Sequence, residues 1–156
     1  MKINAVSRAI VGTAPGIPAG QIAFSSNGNV IYEAGGSQNQ TLVIDAQSLA
    51  TIATIKALGP VDGVFVSGTT LLVSLNNPAN LYYYATTSLK LTNTVPLPSG
   101  GSFVFGVSPA ESRIYLAGTS CDCCNCSGTV SVADFSSGQI LTSQSYDNVD
   151  ECPALA

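Results

Sequence analysis

Residues 44–51 read IDAQSLAT and residues 3–10 read INAVSRAI, an eight-residue frame that recurs at an offset of 41 positions. Two later stretches keep part of this frame. Residues 83–90 (YYATTSLK) retain its Ser and Leu, and residues 132–139 (VADFSSGQ) retain an Asp and a Ser. Self-similarity at a period of about 40 residues is typical of proteins built from repeated structural units. We therefore interpret the chain as an array of such units.

Short apolar runs precede each later copy of the frame. In chain order they are QIAFSS with NVIYEAG, GVFVSG with TLLVSL, and FVFGVS with RIYLAG. The runs are rich in Val, Ile, Tyr and Phe and are bounded by turn residues, which favours strands over helices. Each unit is therefore predicted to contain four strands. Asn27-Gly28 predicts a tight hairpin, and we expect Asp45 and Asp134 to cap the turn after the third strand.

Four-stranded units at this period predict the blades of a β-propeller, an all-β fold of antiparallel sheets. We expect blades at residues 17–59, 60–99 and 100–149, with 1–16 ending a preceding blade and 150–156 starting the next. A β-sandwich would explain the strands but not the recurring frame. Because the chain begins and ends inside a blade, the ring is expected to be incomplete or open. Open edges are templates for strand pairing, and head-to-tail pairing that does not close gives a polymer.

The stretches carrying these signals resemble one known family. IAFSSNGNVIYEAGGSQNQTLVIDAQSLATIATI (residues 22–55), and FGVSPAESRIYLAGTS (105–120) followed by GTVSVADFSSGQI (128–140), are similar to the YVTN-type β-propeller repeat. Ser26-Asn27-Gly28 stands where the family has Pro-Asp-Gly, so these repeats are degenerate. The resemblance implies relatives that are lactonases or parts of dehydrogenases, and therefore an alternative in which this chain is a fragment of a propeller enzyme.

Composition narrows the classes of partner. Charged residues make up 9% of the chain, against about 25% in an average soluble domain. The net charge is −4 and the five basic residues are scattered, which argues against a nucleic-acid partner. No apolar run approaches the roughly 18–20 residues of a membrane span. A charge-poor surface, with glycosylation acceptor patterns at Asn39 and Asn125, favours an extracellular or cell-surface location.

Acid–base chemistry has few candidates in this chain. There is no histidine, the residue most often used for proton transfer. Glu33 on a predicted second strand and Asp62 just before a predicted first strand are acidic candidates, but we expect neither to be catalytic. We also expect no cofactor. In the run Tyr82-Tyr83-Tyr84, strand alternation should place Tyr83 on the face opposite its neighbours, as core filling or, alternatively, as a contact to a partner or glycan.

Four cysteines lie within six residues: Cys121, Cys123, Cys124 and Cys126. We expect them on a loop between a second strand ending near Ala117 and a third starting near Thr129. Three states remain open: disulfide bonds, a thiolate site for a soft ion such as Cu(I), or reduced thiols. We favour at least one disulfide among these four and Cys152, the most probable long-range partner, because crowded thiols oxidise outside the cytoplasm.

Together, these features predict a non-catalytic structural or protein-interaction propeller module. We expect it to lie outside the cytoplasm and to associate with other protein chains, including copies of itself, through its open blade edges as an oligomer or filament. The alternative is part of a lactonase-like enzyme or an oxidoreductase subunit, with its catalytic residues in blades that this chain does not contain.

Overall fold

Three four-stranded sheets make up most of the molecule. A computed structural model describes residues 2–3, 6–13, 20–35, 37–77, 79–97, 102–121 and 126–148. In these ranges the chain forms fourteen β-strands, one 3-10 turn at Pro109–Glu111 and no α-helix. The prediction of an all-β, open arrangement of four-stranded antiparallel blades is confirmed.

Each blade is a meander in which every strand is hydrogen-bonded to the next one in sequence. The first blade contains β3 (Ile22–Phe24), β4 (Val30–Ala34), β5 (Gln40–Asp45) and β6 (Thr51–Lys56). The second contains β7 (Val61–Ser67), β8 (Thr70–Asn76), β9 (Ala79–Ala85) and β10 (Leu91–Pro96). The third contains β11 (Ser102–Ser108), β12 (Arg113–Cys121), β13 (Cys126–Asp134) and β14 (Ile140–Asn148).

A separate two-stranded sheet precedes the first blade. It pairs β1 (Lys2–Ile3) with β2 (Ile10–Gly12) in antiparallel orientation. Residues 150–156, predicted to start a further blade, lie outside the described residues.

The recurring IDAQSLAT frame forms the turn between the third and fourth strands of a blade. One residue of this turn has a left-handed backbone in every repeat: φ is 58° at Arg8, 60° at Leu49, 54° at Leu89 and 70° at Gly138. Such values are unfavourable for a bulky residue such as Leu. The same left-handed turn position therefore recurs with the frame, and it is occupied by Leu in two of the four copies.

The predicted aspartate caps stabilise two of these turns. Asp45 Oδ1 accepts hydrogen bonds from the backbone N–H groups of Gln47 (3.2 Å) and Ser48 (2.7 Å), and from the Ser48 hydroxyl (2.6 Å). Asp134 Oδ1 accepts bonds from the N–H and hydroxyl groups of Ser136 and Ser137, at 2.6–3.0 Å. Both caps are confirmed. The hydrogen bonds from Ser136 and Ser137 lower the pKa of Asp134 to about 2.

The hydrophobic core is divided into two clusters, one at each junction between blades. The junction of the first and second blades includes Tyr32, Val43, Val64, Leu71, Val73, Tyr82 and Tyr84. The junction of the second and third includes Leu72, Leu81, Tyr83, Val104, Ile114, Leu116 and Ala133. Tyr83 thus faces one junction while Tyr82 and Tyr84 face the other, as alternation predicted, and all three fill the core.

The third blade departs from the predicted strand ends. The expected ends near Ala117 and Thr129 are wrong, because β12 runs to Cys121 and β13 starts at Cys126, with unbroken register down to the pair Cys121↔Cys126. The antiparallel ladder continues because each added pair satisfies further backbone N–H and C=O groups across the hairpin. Two of the clustered cysteines therefore lie on strands rather than on a loop.

Candidate functional site

Each blade has two faces, which we name by their direction along the chain. The forward face of a blade is the one turned toward the following blade, and the backward face is the one turned toward the preceding blade. Residues paired across an antiparallel ladder share a face. The backward face of the first blade and the forward face of the third blade, which we call the outward faces, are therefore the two faces that no other four-stranded sheet of the described residues covers. On the first of them Leu42 and Ile44 are nevertheless buried.

The backward face of the first blade carries exposed apolar side chains on β3. Ile22 pairs with Glu33 on the adjacent strand, and Phe24 pairs with Ile31. Ile22 and Phe24 are each 53% exposed. The register equivalents of Ile22 are Val64 and Val104, which pair with the matching positions of their own blades and are 1% and 3% exposed. The position of Ile22 is therefore buried in the core of the second and third blades but about half exposed in the first blade.

A carboxyl group lies in the middle of this backward face. Glu33 is buried, and its Oε2 atom has no hydrogen-bond partner among the described residues. Desolvation raises the pKa of the Glu33 carboxyl. The equivalent positions in the other blades are Val73 and Leu116, both core residues of a blade junction. Glu33 therefore places an ionisable group, whose charged form is disfavoured by burial, where the repeat otherwise has an apolar side chain.

The forward face of the third blade is open in a similar way. It carries Tyr115 paired with Val132, Ala117 paired with Val130, and Tyr146 on the outer strand. Val130 is 39% exposed, whereas its equivalents Thr41 and Leu81 are fully buried at the blade junctions. The Tyr115 hydroxyl donates a 3.0 Å hydrogen bond to Glu111 Oε2, a bond that raises the pKa of Tyr115.

Comparison with known proteins supports the fold. No protein-family model matches the sequence, and no curated protein matches it either. Among solved structures, the chain is similar to Kuenenia stuttgartiensis hydrazine synthase, with a TM-score of 0.73 and 16% identity over 93% of this chain and 42% of that one. It is also similar to BamB from Moraxella catarrhalis, with a TM-score of 0.51 and 12% identity over 79% of this chain and 35% of that one.

A third similar structure is the computationally designed Ika8 protein, with a TM-score of 0.55 and 14% identity over 80% of this chain and 35% of that one. The structural relatives are β-propellers such as BamB. At these identities the likeness shows the fold alone. The chain spans less than half the length of each of these relatives.

The cysteine cluster is only partly described. The register places Cys121 opposite Cys126 at the far end of the β12–β13 hairpin, while Cys123, Cys124 and Cys152 lie outside the described residues. The described residues contain no group of three or more His, Cys, Asp or Glu that could hold a metal ion. The disulfide, the soft-metal site and the reduced thiols all stay predictions.

The remaining sequence candidates are dispersed. Asp62 lies on β7 rather than before it, and its side chain is exposed. Asn39 is exposed in the turn before β5 with φ 53°, and its glycosylation stays a prediction, as does that of Asn125, which lies outside the described residues. Across the described ranges, no helix has the length and apolarity needed to cross a bilayer.

A shallow depression at the turn end of the first blade does not look like a ligand site. It is lined by Gly28, Asn29, Asp45, Ala46 and Gln47. The charged group there, the Asp45 carboxylate, already accepts the hydrogen bonds that cap its turn. The outward blade faces are therefore the stronger candidates.

The sequence predicts open edges, whereas the exposed part of the first blade's backward face, Ile22 and Phe24 on β3, is evident only in the structure; Leu42 and Ile44 on the same face are buried. The signal was present in the apolar run Leu42-Val43-Ile44, which alternation divides between both sides of β5. A strand with apolar residues on both faces is typical of a sheet that is covered on both sides. Ile31 and Ile44, paired across the ladder, mark the side that the second blade does not cover.

Proposed function

We propose that this chain is a non-catalytic protein-interaction module that associates with other protein through its outward blade faces. The observation that supports this most directly is the exposure of Ile22, at a position that is buried in both other blades. Contiguous exposed apolar side chains mark interaction sites more often than they mark ordinary surface.

The free energy available for association depends on the apolar surface that is still exposed on these faces. Full burial of an Ile or Phe side chain contributes roughly 1.5–3 kcal/mol, so Ile22 and Phe24, each about half exposed, offer about 1 kcal/mol apiece. The forward face of the third blade adds Val130 and Tyr146, which are 39% and 57% exposed. Each face therefore offers a modest free energy of association. We expect the contacts with other protein to resemble the apolar blade junctions inside the chain.

The proposal includes an extracellular or cell-surface location and a YVTN-type origin for the repeat. The supports are the scarcity of charged residues, the clustered cysteines and the quoted resemblance. Filament or oligomer formation through the open edges belongs to the same proposal.

The alternative is a portion of a propeller enzyme whose remaining blades complete the ring. It is favoured by one observation, the fit of 93% of this chain onto 42% of a hydrazine synthase chain. Under that reading the outward faces would be covered by further blades of one longer chain. Both candidates require the faces to be covered, and they differ in whether a separate chain covers them.

Native isolation tests the proposal. The tagged chain is isolated without denaturant from the cells that produce it, and the intact masses of its components are measured. We expect a complex containing at least one further protein chain, which Ile22→Asp weakens at least tenfold. Leu58→Asp is the matched control, because Leu58 is an 80% exposed apolar residue between the first two blades. Recovery as a monomer of 15.9 kDa, or inside a longer polypeptide, would overturn the proposal.

A further inference from the structure

The far end of the β12–β13 hairpin extends past the described ends of the matching strands in the other two blades. In the first blade the second strand ends at Ala34, whose register equivalent in the third blade is Ala117. In the third blade β12 continues beyond Ala117 to Cys121. β13 starts at Cys126, and β14 pairs alongside it as far as Asn148. The third blade therefore carries a three-stranded extension.

The hairpin end of this extension contributes little apolar surface. Residues 118–129 read GTSCDCCNCSGT, a stretch without an aliphatic or aromatic side chain. Strand pairing without a hydrophobic face is at best marginally stable in water. The ladder nevertheless continues without a break to the pair Cys121↔Cys126. A covalent link between the two strands would supply the stabilisation that apolar packing does not give there.

The hydrogen bonds of the ladder identify the kind of pair that the two cysteines occupy. Near the other end of the hairpin, the Phe135 N–H donates a 3.0 Å hydrogen bond to the carbonyl oxygen of Ser112, so these opposed residues form a hydrogen-bonded pair. Hydrogen-bonded and non-hydrogen-bonded pairs alternate along an antiparallel ladder. The register is unbroken from the next pair to Cys121↔Cys126. Because an odd number of steps separates residue 112 from residue 121, Cys121↔Cys126 is a non-hydrogen-bonded pair.

The backbone spacing at such a pair suits a disulfide. Opposed residues at a non-hydrogen-bonded pair have Cα atoms about 4.5 Å apart, and a disulfide requires roughly 4.4–6.8 Å. Cys123 and Cys124 are adjacent in sequence, and the roughly 3.8 Å between neighbouring Cα atoms of a trans peptide falls below that range. The register therefore favours one bond among the clustered cysteines.

We propose that Cys121 and Cys126 form a cross-strand disulfide that closes and stabilises the β12–β13 hairpin. The assignment differs from the sequence-based preference for Cys152, because the register supplies Cys126 with an opposed cysteine on the adjacent strand. It does not depend on the interaction function proposed above.

The bond forms by thiol–disulfide exchange with a disulfide oxidant such as glutathione disulfide. The thiolate of one cysteine attacks the oxidant and releases one thiol, which leaves a mixed disulfide. The thiolate of the second cysteine then displaces the other thiol. The two cysteines thus lose two electrons and two protons, and the oxidant is reduced to two thiols.

Peptide mapping of the purified chain tests the pairing. The reduced chain is equilibrated with glutathione and an excess of glutathione disulfide, quenched with acid and alkylated with N-ethylmaleimide. Cleavage after Lys and Arg and before Asp then distributes the five cysteines over peptides 114–121, 122–133 and 150–156. We expect the main species to contain the first two peptides joined by a disulfide.

Serine variants identify which cysteine of peptide 122–133 takes part. Cys126→Ser should abolish the link to peptide 114–121, whereas the matched controls Cys123→Ser and Cys124→Ser should keep it. Circular dichroism verifies the fold, and Cys126→Ala replaces Cys126→Ser if that variant fails to fold. A link that persists without Cys126, a link lost in either control, or a wild-type main species without it would each overturn the proposal.

Amide hydrogen exchange tests the stabilising role. Ser120↔Ser127 is the neighbouring hydrogen-bonded pair of the ladder. We expect its amides to exchange roughly fivefold faster or more after the disulfide is reduced, while the amide of Leu72, in the core of the second blade, keeps its rate. Equal exchange of the Ser120 and Ser127 amides in the oxidised and reduced chains would show that no disulfide stabilises this hairpin and would overturn that part of the proposal.

Discussion

Tyr83 and Phe135 connect the second and third blades through two contacts. The Tyr83 hydroxyl donates a hydrogen bond to the backbone carbonyl oxygen of Phe135, and the two rings meet edge to face at 84° with centroids 5.4 Å apart. Phe135 opens the turn that follows β13, just after the capping residue Asp134. The pair therefore ties that turn to the hydrophobic core of the preceding blade.

Replacing the hydroxyl tests this connection. Tyr83→Phe keeps the ring contact and leaves the Phe135 carbonyl without its donor, so we expect a loss of about 1–2 kcal/mol in the free energy of unfolding. For a domain of this length, that is a fall of roughly 2–8 °C in Tm. Tyr146→Phe, on the exposed outer strand, is the control. Equal thermal unfolding of the two variants would show that the hydrogen bond contributes nothing.

Alkaline titration gives a second prediction for the same residue. Burial, with a smaller contribution from the charge of Asp134, raises the pKa of Tyr83 from 10.0 to about 12. A raised pKa means that the folded state retains the proton, so this contribution to stability is complete below pH 10 and is lost as the pH rises toward 12. The tyrosinate absorbance of the wild type should show one ionisation step near pH 12 that is missing in Tyr83→Phe. A wild-type curve complete by pH 11, with the fold intact, would contradict this assignment.

Two glycines with similar backbone angles should respond very differently to substitution. Gly138 has φ +70° and Gly28 has φ +73°. A Cβ at Gly138 would clash with Val95 Cγ1, whereas nothing lies within 4 Å of a Cβ at Gly28. Gly28→Ala should cost about 1–2 kcal/mol for the left-handed backbone alone. Gly138→Ala should cost roughly 1–3 kcal/mol more because of the clash. Denaturant unfolding that gives equal losses for both would refute the clash.

The fold was predictable because propeller repeats show in local sequence. The turn residues Asp45, Asp134 and Gly28, and the alternation at Tyr83, are each determined by neighbours a few positions away. The length of the β12–β13 hairpin was not predictable in this way, since Gly118 is a residue type depleted in strands and only one of the next two residues, Thr119, favours a strand. Their pairing depends on the opposite strand, which supplies a partner for each backbone group.

The candidate site was less predictable for a related reason. Exposure of Ile22 and Phe24 depends on whether another blade packs beside the first. No local feature of the sequence indicates whether such a blade is present. From the sequence alone, Glu33 is only an acidic residue on a predicted second strand. Its position opposite Ile22 and Leu42, among residues that would suit a covered face, follows from the register of β3, β4 and β5.

Glu33 also supplies a prediction about stability. Because burial raises its pKa, the folded chain favours the protonated form, and stability is lost as the pH rises from the ordinary value of 4.5 through the raised one. Glu33→Gln removes the charge and nearly preserves the shape. We expect it to raise the free energy of unfolding at neutral pH by about 1 kcal/mol. The gain should shrink as the pH falls below 4.5, where the wild-type carboxyl is already protonated in both states.

The measurement should be made at two protein concentrations, so that any association does not add to the apparent stability of one variant. Thermal unfolding is followed at several pH values, with Glu111→Gln as the control because Glu111 is exposed and hydrogen-bonded to Tyr115. If Glu33→Gln gives the same gain at all pH values, its effect comes from packing or from the amide group and not from the charge. If it destabilises the chain at neutral pH, the ionised carboxylate has a stabilising partner in the folded chain, and the desolvation reading of Glu33 is wrong.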